Sequence, residues 1–159
     1  MEAGRPDTIN REILEVLKKH GVSRISINPQ TMNDETLQKV GRKHSVNDII
    51  ECFQLARELG FDNINMDIIL GLVDENLAMV ENTLKEIEKL SPESLTVHTL
   101  AVKRTSKLKE NIDNYELTQF DEMTKMIDLS MKYALQNFHP YIVRESYCLS
   151  LQTRVCRAD

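Results

Sequence analysis

Two spacings of apolar residues alternate along the chain, and together they predict alternating helices and strands. Helical spacing recurs in five stretches, residues 9–20, 33–40, 45–59, 76–90 and 116–138. Short β-branched runs separate them, at residues 22–28, 63–71, 94–100 and 141–143. The order α-β-αα-β-α-β-α-β predicts an α/β fold with a parallel sheet of about four strands, either doubly wound or part of a (β/α) barrel.

One predicted strand, Asn63 to Gly71, organises the rest of the interpretation. It is short, mostly apolar and flanked by Gly60 and Gly71, which predicts a strand buried on both faces. Asp67 is the anomaly in this run, because a buried ionised carboxylate costs several kcal/mol unless a partner or ligand compensates it. Since parallel strands place ligands at their carboxyl ends, Asp67 is the first candidate for a binding residue.

Other polar residues follow the neighbouring predicted strands. Gln30 comes directly after the first strand, and Thr99 and Ala101 come at the end of the third. Arg42 lies between two predicted helices and could bind a carboxylate with its guanidinium. Two alternatives stay open: Arg42 could instead be a cation at a helix C-terminus, and Gln30 a turn residue that satisfies backbone groups.

Composition limits the classes of function. Hydrophobic residues make up 41% of the 159 residues and charged residues 28%, as in ordinary globular domains. The net charge of −5 argues against a nucleic-acid or anionic-membrane surface, because binding phosphates requires a basic field. With no long apolar segment and no apolar signal core near the start, we expect a cytoplasmic protein.

Cysteine and histidine spacing predicts no metal centre. Cys52 falls in an apolar helical stripe, Cys148 and Cys156 fall near the end, and no C-x-x-C pair occurs. The four histidines are scattered, so each is more simply structural than a ligand. The glycines are isolated, and no glycine-rich phosphate loop is present.

Four separated runs, in this order, resemble one family. They are EAGRPDTI at 2–9, GVSRISINPQTM at 21–32, GRKH at 41–44 and FDNINMDIILGL at 61–72. They resemble radical S-adenosylmethionine (SAM) enzymes, most closely the oxygen-independent coproporphyrinogen III oxidase (coproporphyrinogen dehydrogenase) group. The resemblance implies a (β/α) partial barrel that holds SAM and a [4Fe-4S] cluster and oxidatively decarboxylates porphyrinogen propionates in haem biosynthesis.

The resemblance also implies roles for individual residues. Glu2 resembles a contact to cluster-bound SAM. Gln30, Arg42 and Asp67 resemble polar contacts to a second SAM molecule, and Ala101 a backbone contact to the same ligand. The inference that Asp67 is a binding residue, drawn above from its apolar strand, agrees with this assignment.

The departures from the family pattern are equally informative. The cluster motif C-x3-C-x2-C and the glycine-rich turn that follows it are missing, and both would precede Met1. We therefore expect a fragment, with residues 1–140 a partial barrel that holds no cluster and residues 141–159 a divergent tail left by truncation or a frame shift. Gly71-Leu72-Val73-Asp74 replaces a Gly-Leu-Pro turn, which predicts a looser entry to the next helix.

Two function classes remain at this point. One is an oxidoreductase fragment that is inactive alone, with porphyrinogen as the parent's substrate. The other is a non-catalytic module that binds SAM or a nucleoside and needs a partner. In either case we expect one edge of the sheet to be exposed, which favours self-association.

Overall fold

A computed structural model of the protein describes residues 2–100, 120–137 and 142–143. The strands are β1 (Glu2–Gly4), β2 (Arg24–Gln30), β3 (Asn63–Leu70), β4 (Ser94–Thr99) and β5 (Ile142–Val143). The helices are α1 (Arg11–Lys19), α2 (Asp34–Lys39), α3 (Val46–Glu58), α4 (Leu77–Leu90) and α5 (Phe120–Asn137), and Pro6–Thr8 forms a 3-10 turn. None of the helices in these ranges combines the length and the apolar run needed to cross a bilayer.

The five strands form one parallel sheet in the order β1-β2-β3-β4-β5. Every strand lies beside its predecessor in the chain, and the order never reverses. A doubly wound sheet reverses its order at a switch point, whereas a barrel does not. The topology is therefore that of a barrel segment, which settles the alternative that the sequence left open in favour of the partial barrel.

The start of the chain differs from the sequence prediction. Glu2–Gly4 is an additional edge strand beside β2, so the described sheet has five strands rather than about four. Helix α1 begins at Arg11 rather than at residue 9, and its N-cap is Asn10, whose side chain accepts from the Ile13 amide at 2.9 Å. The cause is Pro6, which starts a 3-10 turn over Pro6–Thr8 and delays the helix.

Strand β2 continues through Pro29 and Gln30, where the sequence predicts its end. Proline lacks the amide hydrogen that a regular ladder needs. The structure accommodates it with a register shift between Ile27 and Gln30 in the pairing with β3. The strand therefore carries Gln30 itself instead of stopping before it.

The two faces of the sheet differ in chemistry. The predicted burial of β3 is complete on one face, whereas on the other face Asn65 is buried and Asp67 and Ile69 are half-buried. One face packs against the helices in a single apolar core. Its strand residues are Ile25, Ile27, Ile64, Met66, Ile68, Leu95 and Val97, and its helix residues include Leu14, Phe53, Leu84 and Met126. The opposite face, which we call the polar face, carries Ser26, Asn28, Asn65, Asp67, Ser94 and Thr96.

The turn after β3, where the sequence predicts a looser entry to the next helix, is anchored by a buried carboxyl group. Oε2 of Glu75 accepts from the amides of Gly71 and Leu72 at 2.9 and 3.1 Å. Glu75 is only 5% exposed. Its carboxyl group therefore closes the turn without the proline of the family pattern. Burial, opposed only in part by these hydrogen bonds, raises the pKa of Glu75 to about 7.

We predict that Glu75 makes the protein less stable as pH rises. Its pKa is raised from 4.5 to about 7 on folding, so the folded state keeps a proton that the unfolded chain releases. The free energy of unfolding should fall by about 3 kcal/mol between pH 4.5 and pH 7 and then level off. In Glu75→Gln a neutral amide oxygen can still accept both amide protons, and this decrease should be absent.

Urea unfolding across this pH range measures the difference between Glu75→Gln and the wild type. Glu12→Gln, on the exposed face of α1, is the matched control and should keep the wild-type slope. An unchanged slope in Glu75→Gln would show that the Glu75 carboxyl group is not the source of the pH dependence.

Candidate functional site

Asn65 lies at the centre of a hydrogen-bond network on the polar face. Its Oδ1 accepts from the hydroxyls of Ser94 and Thr96 on β4 at 2.9 and 3.0 Å. Its Nδ2 donates to the Ser26 hydroxyl on β2 at 2.8 Å and to Oδ1 of Asp67. The Asn65 amide, 4% exposed, thus links three neighbouring strands with all its hydrogen-bonding capacity used.

Asp67 presents its two carboxylate oxygens to different surroundings. Oδ1 accepts from Asn65 and, at 3.4 Å, from the Ser26 hydroxyl. Oδ2 has no hydrogen-bond partner among the described residues, although the side chain is half-buried. A half-buried carboxylate oxygen without a protein donor suits a ligand that brings a hydroxyl or amino donor.

Gln30 ends β2 in a left-handed backbone conformation, with φ of 76°. A non-glycine residue in this region costs on the order of 1–2 kcal/mol and is held there by its surroundings. The side chain is 8% exposed, and its described hydrogen bond, to the Asn28 carbonyl, is long at 3.5 Å. Gln30 pairs with Ile68 in register, so it lies one position along the sheet from Asp67.

The segment after α2 brings Arg42 to the same end of the sheet. Nε2 of the buried His44 lies 3.4 Å from the Pro29 carbonyl, and Nδ1 lies 3.4 Å from Oδ1 of Asp7. Arg42 is half-buried; burial, and next the charge of Arg5, lowers its pKa. The backbone amide of Arg42 donates to the Leu37 carbonyl after the end of α2. Arg42 therefore also lies at a helix C-terminus, which is the alternative role that the sequence left open.

Glu2 and Ala101, the remaining predicted site residues, are described only in part or not at all. The backbone of Glu2 lies in β1, in register with Ser26 of the polar face. Ala101 lies outside the described residues, as do the lysine-rich segment 103–114 and most of the tail. The structure thus brings Glu2, Gln30 and Asp67 to nearby levels of adjacent strands, with Arg42 at the carboxyl end of β2.

Asn65, Ser26 and Thr96 share a hydrogen-bond network with Asp67, and the sequence interpretation did not single them out. The signal was present: Asn63, Asn65 and Asp67 alternate with apolar residues along β3. This two-residue repeat is typical of a strand with one polar face. It was obscured because Ile69 interrupts the polar series near the strand end.

The described residues do not fit a thiolate-bound iron–sulfur cluster. The one cysteine among them, Cys52, lies in the core on the helix side of the sheet, 6% exposed, and burial raises its pKa to about 11. Cluster ligation requires several convergent thiolates. Within residues 2–100, 120–137 and 142–143, no group of three or more His, Cys, Asp or Glu side chains is arranged to hold a metal ion.

Comparison with protein families matches residues 3–87 to the Radical SAM superfamily. Among characterised proteins, the chain is 45% identical over 142 residues to the oxygen-independent coproporphyrinogen-III oxidase-like protein HemZ of Bacillus subtilis. It is 38% identical over 97 residues to the heme chaperone HemW of the same organism. These matches cover 89% and 61% of the chain but only 28% and 26% of the relatives, so the chain spans about a quarter of their length.

Solved structures show the same fold. The coproporphyrinogen III oxidase HemN of Escherichia coli superposes with a TM-score of 0.74 at 25% identity, over 86% of this chain and 31% of that one. Elp3 of the archaeon Methanocaldococcus infernus superposes with a TM-score of 0.73 at 24% identity, over 91% of this chain and 34% of that one, and this likeness concerns the fold alone.

We predict that the backbone conformation of Gln30 lowers the stability of the protein. Gln30→Gly and Gln30→Ala both remove the side chain, but only glycine adopts a positive φ without strain. The glycine variant should therefore be more stable than the alanine variant by about 1 kcal/mol in urea unfolding. At the exposed β3 position Asn63 the same pair should show the opposite order. Equal stability of the two Gln30 variants would contradict the inference that the backbone of Gln30 is strained.

Proposed function

Because the chain belongs to the radical SAM superfamily, we propose that it forms the SAM-binding part of a protein that acts on porphyrinogens. Proteins of this superfamily use SAM together with a [4Fe-4S] cluster. The chain is similar to HemZ and HemN over a quarter to a third of their length. The proposed substrate class, porphyrinogens, comes from those relatives.

The SAM proposal rests mainly on the different surroundings of the two carboxylate oxygens of Asp67. Oδ1 is held by Asn65 and Ser26, while Oδ2 has no donor within the described part of the chain. SAM carries ribose hydroxyls, an adenine amino group and an α-amino group, all of which are donors for such an oxygen. A carboxylate in the middle of a ladder of hydroxyl and amide groups suits this polar ligand better than an apolar one.

The other candidate residues have complementary chemistry. Arg42 supplies a guanidinium that suits the carboxylate of a ligand's amino-acid portion. Gln30 supplies an amide at the strand end, where the strained backbone holds it one level from Asp67. For Glu2 and for the backbone of Ala101, the proposed contacts rest on the family resemblance.

The cluster of the family supplies the electron that cleaves SAM reductively. The described residues of this chain offer no thiolate set for it, so we assign them no step in that reaction. We propose that they bind and orient SAM, with Asp67 as the principal acceptor. The cluster ligands would have to come from elsewhere.

A second candidate function is binding of haem, because the relative HemW is a heme chaperone and is 38% identical over 97 residues. Haem is largely apolar, whereas the face that carries Asp67 is polar. The geometry therefore favours SAM as the ligand of this face. Titration of the chain with haem, followed by its absorbance, tests the second candidate separately.

We predict that the isolated chain binds SAM through Asp67, with an affinity weaker than ~1 μM. Asp67→Asn removes the charge and should weaken binding at least tenfold, or ~1.4 kcal/mol, in titration calorimetry. Asp62→Asn, at an exposed position just before β3, is the matched control and should bind like the wild type. If Asp67→Asn retained full affinity, the proposed site would be wrong.

We also predict that this 159-residue chain alone assembles no four-iron cluster. Anaerobic incubation with iron and sulfide should give no stable cluster chromophore, and the spectrum of Cys52→Ala should match that of the wild type, since the buried thiol is no ligand. A stable chromophore, accompanied by cleavage of SAM to 5′-deoxyadenosine, would contradict this prediction.

A further inference from the structure

We propose that Asn65 is the positioning residue for Asp67: its amide engages one carboxylate oxygen, so that the other oxygen is presented to the donor groups of SAM. This inference rests on the proposed function for the ligand. It adds a residue that does not itself touch the ligand and that neither the sequence pattern nor the family resemblance singled out.

The direction of the Asn65 amide follows from its partners. A carboxylate can only accept, so the amide nitrogen must face Asp67 and the amide oxygen must face the other way. That oxygen meets the hydroxyls of Ser94 and Thr96 at 2.9 and 3.0 Å, both of which can donate. The Asp67 carboxylate therefore determines which way the Asn65 amide points on β3, and the hydroxyls on β4 hold the amide in that direction.

Burial makes this arrangement stiff. Asn65 is 4% exposed and Thr96 is 7% exposed, so water has little access to replace a lost hydrogen bond. An amide flip would place its oxygen against the Asp67 carboxylate and its nitrogen against two hydroxyls that now donate. The network therefore has one favourable direction, which holds the Asp67 carboxylate in place before a ligand arrives.

Asn65→Asp tests this role because it keeps the shape of the side chain. It removes both donated hydrogen bonds and sets a second carboxylate beside Asp67. Two adjacent carboxylates share a proton, so the pair should titrate in two well-separated steps. Among the described side chains, the other titratable or charged groups of this face are Arg24, which donates to Ser94 at 3.2 Å, and His98, two residues after Thr96. The backbone of Glu2 also lies in register with Ser26.

We expect the SAM affinity of Asn65→Asp to fall at least tenfold at about pH 8 and to recover in part towards about pH 5.5, where the shared proton restores a donor to Asp67. Calorimetry at both pH values measures this. Asn63→Asp, the same change at an exposed position on the same strand, should bind like the wild type at both. A loss of affinity that did not vary with pH would indicate a purely structural role and would overturn the proposal.

A measurement without ligand separates this proposal from the proposed function. At a fixed pH and without SAM, the carbon-13 shift of the Asp67 carboxyl group should differ between the wild type and Asn65→Asp, because the hydrogen bond from the Asn65 amide is lost. If Asn65→Asp does not fold, Thr96→Val removes one donor to the Asn65 amide at nearly constant volume and should still displace the Asp67 carboxyl shift. A carboxyl shift like that of the wild type in the folded variant would overturn the positioning role.

Discussion

The hydrogen bonds of the Asn65 amide join β2, β3 and β4 across the polar face, and the candidate site depends on them. An unsatisfied buried polar group costs on the order of 1–3 kcal/mol, so a strand can carry Asn65 and Asp67 only if its neighbours supply matching donors. Ser94 and Thr96 donate to the Asn65 amide oxygen, and Ser26 accepts from the Asn65 amide nitrogen and donates to Asp67, at the required levels of the register. The opposite face is under no such constraint and packs as an ordinary apolar core.

The carboxyl end of the sheet combines a strained backbone position with a buried carboxyl group. Gln30 is held at a positive φ, and the Glu75 carboxyl group is buried under the turn after β3. A hydroxyl group supports the segment that follows Gln30: Thr83 of α4 accepts from the Met32 amide at 3.1 Å and lies 3.2 Å from the Thr31 hydroxyl. The rim is therefore attached to the helix layer rather than left as a free loop.

Much of the fold could be predicted from the sequence, because helical and two-residue spacings alternate clearly and are interrupted by glycine and proline. The start of the chain could not be predicted in this way. Three residues, Glu2–Gly4, are too few to show any periodicity, and their strand exists only because β2 lies beside it. For Asp67 the sequence argument was incomplete, since the helices bury its strand on one face only.

The rest of the site depended on information that one strand does not contain. The partners of Asn65 come from β2 and β4. Ser26 lies 39 residues from Asn65 in the chain, Ser94 lies 29 residues away and Thr96 lies 31 residues away. Their register, and not the local pattern, decides which hydroxyl meets which amide group. In the same way, the contacts of His44 with Asp7 and with the Pro29 carbonyl join three of the family-like runs, and they become evident only in three dimensions.

Nitrogen-15 NMR of the chain during titration with SAM is the most direct test of the central claim, that the polar face is a SAM-binding surface. The account predicts that the shifted amides cluster on the polar-face strands, around Ser26, Asn65, Asp67 and Gln30. Adenosine should reproduce part of the same pattern. Shifts confined to the outer helices, for example to the groove between α3 and α4 near Phe53 and Lys89, would contradict it.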